Sequence, residues 1–483
     1  MKNRCFNPYL PSWEYIPDAE PHIVGDRVYI YGSHDLFNAI SFCMGDYVCY
    51  SAPVDDLSDW RYEGVIYKRS QDPSARGPRF LFGLAAPDMV QGKDGRFYLY
   101  YFMGGTKKIS VAVCDEPAGK YSYYGDVQYS DGTPIGHRGE PLMFDPGLFM
   151  DDDGRLYLYE GFALENNPIL LMGSKATRKG PLCFELDTSD MLTVKEGPVY
   201  IGVGGLEGGD ESGYRGHLFL EASSMRKFDG KYYFIYSSLN SHELCYAVSD
   251  RPTGGFTFGG TLISNGDIGL SGITDVGNAR NNTGNTHGSL IKIGDRYFVF
   301  YHRQTNRKQS SRQACAEEIR FENGRFYQAE MTSMSFTKRA LPGRGVYPAY
   351  IACNLYGRDG TRFLSMIKHP EGRTPYITQE GKDREEGPDQ FIRNFCDGSV
   401  AGFKYFDLSD TGSISICLRG KGEGRIVIRT CEDGEELASI NVSSEETSPK
   451  SYSGRLPQLS SREALFFEFL GKGKFDFLSF ELG

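Results

Sequence analysis

The chain has only two tryptophans, no clustered run of lysine or arginine, and no apolar stretch of bilayer length. Each gap removes a class of function. A nucleic-acid partner requires concentrated positive charge to neutralise phosphates, and a net charge of −10 opposes that. A membrane-spanning helix takes about 18 or more apolar residues, and the N-terminal MKNRCFNPYLPSWEYIPD lacks even the roughly 7–15 of a signal-peptide core. No nucleic acid, no membrane and a cytoplasmic location are therefore the expectation. The eleven cysteines are odd in number and scattered in strand-like runs such as YVCYSAP, HELCYAV and ISICLRG. With no CxxC pair or Cys/His spacing of the zinc type, they read as small reduced core residues. No amphipathic helix of any length is evident either.

The chain is instead rich in Gly (59), Tyr (32) and Phe (32), the composition of many turns between aromatic strands. At 483 residues it exceeds one ordinary core and implies a division. Five copies of one hairpin pattern recur, each a polar turn followed by alternating aromatics: GDRVYIYGS from Gly25, DGRFYLYYF from Asp94, DGRLYLYEG from Asp153, DGKYYFIYS from Asp229 and GDRYFVFYH from Gly294. With Tyr29, Tyr98, Tyr157, Tyr233 and Phe298 as markers, an ionisable residue stands ten to twelve positions upstream in every copy: Asp18, Asp88, Asp145, Glu221 and His287. Further strand-like runs between copies bring each unit to about four strands. Such units bury their faces by packing radially, which predicts an all-β, five-bladed propeller over residues 1–340 with the five polar slots converging on its axis. Beyond KRALPGRGVYP the rhythm changes to AGFKYFDL, GSISICLRG, GRIVIRTC, ELASINVS and ALFFEFLG, which predicts a jelly-roll-like β-sandwich over residues 341–483. The run Asp151-Asp152-Asp153 reads as a solvated turn.

Several carboxylates in one pocket without a His or Cys cluster suit acid/base chemistry, above all glycoside hydrolysis, in which one carboxyl holds a proton and another is ionised. The segments IPDAEPHIVGDRVYIYGSHD, APDMVQGKDGRFYLYYF, FDPGLFMDDDGRLYLYEG, FLEASSMRKFDGKYYFIYS and HGSLIKIGDRYFVFYHR resemble glycoside hydrolase family 43, five-bladed propeller enzymes acting on arabinose- and xylose-containing glycans. The resemblance implies Asp18 as general base, Glu221 as general acid and Asp145 as the third carboxylate tuning the acid, with Glu20 of Asp18-Ala19-Glu20-Pro21 a rival base. It implies inversion, with the acid and base about 6.5–9.5 Å apart.

The resemblance further implies Asp88 and Arg303 as substrate-binding residues, and His287 beside a structural Ca²⁺ on the axis, ligated mostly by water, no cofactor being required for the chemistry. His34 and Asp35 either border the sugar site or hold a blade edge, and Trp13, Phe37 and Phe162 are candidate stacking aromatics near the pocket mouth. The C-terminal part resembles a family 6 carbohydrate-binding module, although a purely structural sandwich is the reading favoured. The expected partner is a pentose-containing oligosaccharide and the expected activity that of an exo-acting β-xylosidase or α-L-arabinofuranosidase. An endo-arabinanase or exo-galactanase of the same fold, or a non-catalytic glycan-binding propeller, are the alternatives; oligomeric state is not legible.

Overall fold

Each aromatic return strand pairs antiparallel with the strand before it, so that the marker residues face fixed partners: Tyr29 opposite His22, Tyr98 opposite Val90, Tyr157 opposite Phe149, Tyr233 opposite Arg226 and Phe298 opposite Ile291. The computed structural model describes residues 5–165, 171, 173–209, 213–383 and 390–483. All its named elements are strands apart from four three-residue 3-10 turns.

Four blades are four-stranded meanders. They comprise β1 (Glu20–Val24), β2 (Arg27–Tyr31), β3 (Tyr47–Pro53) and β4 (Arg61–Tyr67); β5 (Leu84–Gln91), β6 (Phe97–Met103), β7 (Ile109–Cys114) and β8 (Ser122–Asp126); β9 (Gly147–Met150), β10 (Leu156–Glu160), β11 (Leu182–Leu186) and β12 (Val194–Tyr200); β13 (Phe219–Phe228), β14 (Lys231–Ser238), β15 (Glu243–Ser249) and β16 (Thr257–Ser264). The fifth holds three strands, β17 (Leu290–Ile293), β18 (Arg296–Thr305) and β19 (Lys308–Ile319). The first strand of each blade is innermost: β1 lies on β5, β5 on β9, β9 on β13, and β17 returns to β1. Arg226 Nε donates to Leu290 O at 2.9 Å across the remaining junction. Alternating aromatic and aliphatic side chains fill the spaces between blades, as with Phe298 and Phe300, which pack toward the first blade, and Tyr297, Val299 and Tyr301, which pack toward the fourth.

A fourth strand in every blade was the expectation, and the fifth departs from it. Its outer edge is covered instead by Asn7, whose side chain imitates a backbone pair: Nδ2 donates to Ala316 O at 3.0 Å and Oδ1 accepts from Ala316 N at 3.0 Å. The segment around it, FNPYLPS, has two prolines that cannot donate to a ladder, so a side chain does the pairing. Asn7 Nδ2 also donates to Glu317 Oε1 at 2.7 Å, while Glu317 accepts from Thr332 and Tyr301.

Residues 341–482 form a second, ten-stranded sheet that curls over its own hydrophobic core. The separate runs read from the sequence are here single long strands, Ser413–Arg429 and Glu463–Leu482, paired along their length. Glycines face each other where they bend, Gly422 opposite Gly473 and Gly424 opposite Gly471. A Cβ at Gly424 would stand 2.3 Å from Leu470 O, so the close approach requires its absence.

The acidic run at the third blade's turn also departs from the expectation. Asp152 and Asp153 are exposed, but Asp151 is buried and holds Lys227 Nζ at 2.6 Å and the Tyr232 hydroxyl at 2.6 Å, tying the third blade to the fourth.

Replacing Asn7 by alanine leaves the Ala316 N–H and part of Glu317 without partners in a buried setting. The expected cost is about 1–3 kcal/mol, read as a lower denaturant midpoint with an unchanged slope; an unchanged midpoint would show that the edge needs no cover.

Candidate active site

Pairing register sorts the axial residues into two tiers. Opposite the residue two beyond each marker stand Glu20, Asp88, Gly147, Ser224 and Ser289. Two residues further toward the strand heads, or three in the fourth blade, where a bulge lies between Glu221 and Ser224, about 7 Å higher, come Asp18, Asp145, Glu221 and His287. These four line one cavity of about 500 Å³ at the propeller mouth. Asp88 does not. A distance of ten to twelve positions from the marker suggested that all five converge, but hairpin loops and bulges absorb residues unequally. The second blade carries a bulge between Ala85 and Asp88, which puts Ala85 at the cavity and Asp88 one tier down.

The lower tier is a hydrogen-bonded plug. Glu20 Oε2 accepts from Arg226 Nη2 at 2.6 Å and from Ser224 Oγ at 3.1 Å, and Ser224 Oγ meets Ser289 Oγ at 2.7 Å. Asp88 pairs with His22 Nε2 at 2.7 Å and accepts from Leu148 N at 2.6 Å. Burial and the neighbouring Asp88 charge push Glu20 up to about 7 despite Arg226. The rival base of the sequence reading thus lies outside the cavity lining.

In the upper tier, strand heads turn through the left-handed region: φ is 58° at Asp18, 49° at Asp145 and 67° at Ala222. Asp tolerates this conformation better than most residues, and the turn aims the carboxyl away from the strand axis. Asp18 is almost fully buried, which alone would raise it. The Arg312 guanidinium outweighs burial and holds it below the usual carboxylate range. Arg312 Nη1 donates to Asp18 Oδ1 at 2.9 Å, and His287 Nδ1 lies 4.0 Å from the same oxygen. His302 accepts from Asp18 N through Nδ1 at 3.3 Å, and its Nε2 lies 2.9 Å from Asn285 O. Burial, reinforced by Arg312, pushes His302 down to about 3, so it is neutral.

The other two carboxyls go the opposite way. Burial and then the Asp18 charge push Glu221 up to about 7. Burial, Glu221 and Asp18 raise Asp145 well above its usual range, although Ala222 N donates to its Oδ2 at 3.3 Å. Asp145 and Glu221 titrate together, and the pair retains a proton near neutrality. His287 Nδ1 is 3.5 Å from Asp145 Oδ2, and burial holds this imidazole neutral-leaning, below its ordinary pKa.

Arg303 does not line the cavity. Its guanidinium donates to Gln313 Oε1, to Ala352 O at 2.9 Å and to Tyr350 O at 2.7 Å, tying the fifth blade to the C-terminal part. Strand parity explains the exchange. Arg303 pairs with Gln313 on the face shared with Tyr301, whereas Arg312 pairs with Gln304 on the face shared with His302, toward the first blade and the cavity. Asp35, which the sequence reading left either beside the sugar or at a blade edge, is fully buried behind Arg312 and grips it with both oxygens, at 2.8 Å to Nε and 3.0 Å to Nη2. His34 is likewise outside the lining, with Nε2 3.0 Å from Glu14 and Nδ1 2.9 Å from Asp46 O.

The aromatic candidates are displaced as well. Phe37 is buried against Tyr15, Phe162 is buried behind Phe144, and Trp13 is half-buried away from the lining. The aromatics that line the cavity are Phe42, Phe80, Phe102 and Phe144. Phe102 and Phe144 were within reach of pattern reading, one on the second return strand and one directly before Asp145. Phe42 and Phe80 sit in loops that carry no periodicity. Arg312 was also missed; its signal was an arginine inside the run SSRQACA, whose small neighbours mark a buried strand.

Comparisons place these observations. A family model described as glycosyl hydrolases family 43 matches residues 15–200. A xylosidase/arabinosidase from Thermoclostridium stercorarium is 46% identical, covering 100% of this chain and 99% of its own. Xylosidase/arabinosidase 43A from Humicola insolens is 32% identical over 60% of this chain and 88% of its own. A solved family 43 β-xylosidase/α-arabinofuranosidase from a compost metagenome, in complex with xylotriose, is 26% identical with a TM-score of 0.50, covering 66% of this chain and 95% of that one.

The Arg312 clamp generates a signed expectation. In Arg312→Met the depression of Asp18 is relieved, so its carboxyl titrates at higher pH, followed by carboxyl-labelled NMR. A depressed carboxylate contributes stability above its unfolded pKa and loses it as pH falls through the folded value, so acid unfolding of the variant should begin at higher pH. Stranding Asp35 costs a further 3–5 kcal/mol or so. An unmoved Asp18 titration would show that the arginine is not what holds it ionised.

Proposed function

The chain belongs to glycoside hydrolase family 43 and is a glycoside hydrolase of its inverting type, and on that premise we propose that it releases single xylose or arabinose units from the ends of pentose-containing oligosaccharides. The observation that carries the reading is the split of charge states around one small cavity. Asp18 is held ionised while the Asp145–Glu221 pair keeps a proton. That division is what inversion requires: a base to take a proton from water and an acid to give one to the departing oxygen.

In this proposal Asp18 is the base. Its Oδ1 accepts from Arg312. Glu221 is the acid: Ala222 N–H favours the ionised form of Asp145, so the shared proton rests on Glu221, which is also the more exposed of the two. Asp145 then keeps the acid's pKa high and accepts from the sugar. His287, between Asp18 and Asp145, positions the water or a sugar hydroxyl. The exo mode is supported by the lower-tier plug, which closes the axis beneath the carboxyls, and by the names of relatives aligned over most of their length, xylosidase/arabinosidase.

No cofactor is needed for this chemistry. A Ca²⁺ on the axis would take His287 as its protein ligand and water for the rest, since among the described residues the trios of donor atoms lying within 4.8 Å of one another are Glu20/His22/Asp88 and His217/Glu243/Cys245, neither of which contains His287. It would order water and steady the neighbouring carboxylates, and no step above runs through it. Exhaustive chelation is therefore expected to change kcat/KM by less than about threefold; abolition of turnover, restored by Ca²⁺, would overturn this.

With a panel of nitrophenyl pentosides, Asp18→Ala and Glu221→Gln should each lose about 10²–10⁴-fold in kcat/KM. Undiminished hydrolysis in either would refute the assignment. The wild-type pH profile should fall on the acid side as Asp18 is protonated, below the usual carboxylate range, and on the alkaline side near 7 as Glu221 loses its proton. Asp145→Asn removes a negative neighbour, so its alkaline limb should move to lower pH. Proton NMR of the first-formed sugar should show the inverted anomer; initial retention would exclude the water-between-carboxyls arrangement.

A further inference from the structure

Outside the cavity, the fourth blade brings together three side chains of different chemistry. His217 stands two residues before β13, Glu243 opens β15 and Cys245 follows on the same strand. Their donor atoms all lie within 4.8 Å of one another. His217 Nδ1 is 2.9 Å from Glu243 Oε1 and 3.8 Å from Cys245 Sγ. A tetrahedral zinc ion with its ordinary bond lengths spaces nitrogen from oxygen by about 3.3 Å and nitrogen from sulfur by about 3.6 Å. The separations in the fourth blade lie close to both values, so small side-chain adjustments would complete three corners of a tetrahedron.

The donors are also held from behind, as the ligands of a bound ion are. Glu243 Oε1 accepts from Ser238 Oγ at 2.6 Å and from Asn240 Nδ2 at 2.9 Å, and its Oε2 accepts from Thr261 Oγ1 at 3.1 Å. The His217 ring stacks on Phe258 with centroids 4.8 Å apart and planes at 17°, and its carbonyl accepts from Tyr236 Oη at 2.7 Å. Cys245 and Glu243 are buried, whereas 34% of the His217 side chain is exposed, which gives a path from solvent and room for water as a fourth ligand. Among the described residues no lysine or arginine forms an ion pair with Glu243. The trio of Glu20, His22 and Asp88 differs at that point, since the Arg226 guanidinium already pairs with Glu20 at 2.6 Å.

We propose that His217, Glu243 and Cys245 form a binding site for a thiophilic divalent cation of the zinc class, with water as the fourth ligand. Thiolate, imidazole and carboxylate together suit zinc or cobalt, while calcium and magnesium take oxygen ligands and gain nothing from the sulfur. On uptake the Cys245 S–H bond is replaced by a bond to the ion and the proton leaves to solvent, while the imidazole ligates through Nδ1 and keeps its hydrogen on Nε2. Because the donors are already gathered and supported, little ordering is needed on binding. Such an ion clips the entry of β13 to β15. It stands four residues ahead of Glu221 in the chain but outside the cavity lining, so its effect falls on stability and not on the chemistry.

The test uses the full chain, stripped by chelation, kept reduced and titrated with Co²⁺ alone. A thiolate-to-cobalt charge-transfer band in the near ultraviolet should rise to saturation at one ion per chain and vanish when Zn²⁺ is added, but not when Ca²⁺ is. Cys245→Ser should lose the band. His217→Gln, at the partly exposed member of the trio and so a guard against misfolding, should weaken cobalt affinity about tenfold or more. Cys431→Ser, at an exposed cysteine elsewhere, should leave band and affinity unchanged. Saturating Zn²⁺ should also raise the melting temperature of wild type by about 2 °C or more, and that of Cys245→Ser by less than half as much. Absence of the band at millimolar Co²⁺, a band undiminished in Cys245→Ser, or an affinity unmoved in His217→Gln overturns the site.

Discussion

One buried guanidinium sets the electrostatics of the site. Arg312 lies between Asp35, which holds two of its nitrogens, and Asp18, which takes the third. A cation without water around it must be paired, and two carboxylates pair it. The consequence runs outward from there. With Arg312 fixed by Asp35, Asp18 stays ionised in spite of burial, and an ionised Asp18 raises the carboxyls facing it. A site of one sign thereby acquires two protonation states at one pH. The same pair joins the first blade to the fifth, so the interaction that poises the chemistry also closes the ring.

The two-tier arrangement of the axis shows how strand geometry converts small differences in spacing into different roles. Glu20 and Asp18 are two residues apart at the head of one inner strand, yet one sits in the hydrogen-bonded plug and the other at the cavity. Moving along a strand by one pleat repeat, about 7 Å, is enough to exchange solvent and substrate for protein partners. Asp88, with its three hydrogen bonds, belongs wholly to the plug.

Much of this was legible from the sequence because the repeated aromatic hairpin fixes both blade number and the direction in which the inner strands point. Asp18, Asp145, Glu221 and His287 follow from counting back from Tyr29, Tyr157, Tyr233 and Phe298. Asp88 was misplaced because counting cannot see a bulge, and Arg303, which the resemblance implied, because a local motif does not show which of two arginines on paired strands shares the face of His302. Phe42, Phe80 and Met366 were illegible for a different reason. Their loops have no period, and Met366 reaches the cavity across more than 300 residues of chain from Asp18, through contacts that only the folded C-terminal part creates.

The plug beneath the carboxyls has a kinetic meaning as well as a structural one. A channel closed at one end gives both fragments of a cleaved glycan the same exit, and the monosaccharide, lying deeper, cannot pass the fragment above it. The longer product must depart first. In the proposed exo mode each turnover therefore passes through a complex with free sugar, and release of that last small molecule is a step that sugar in the medium opposes.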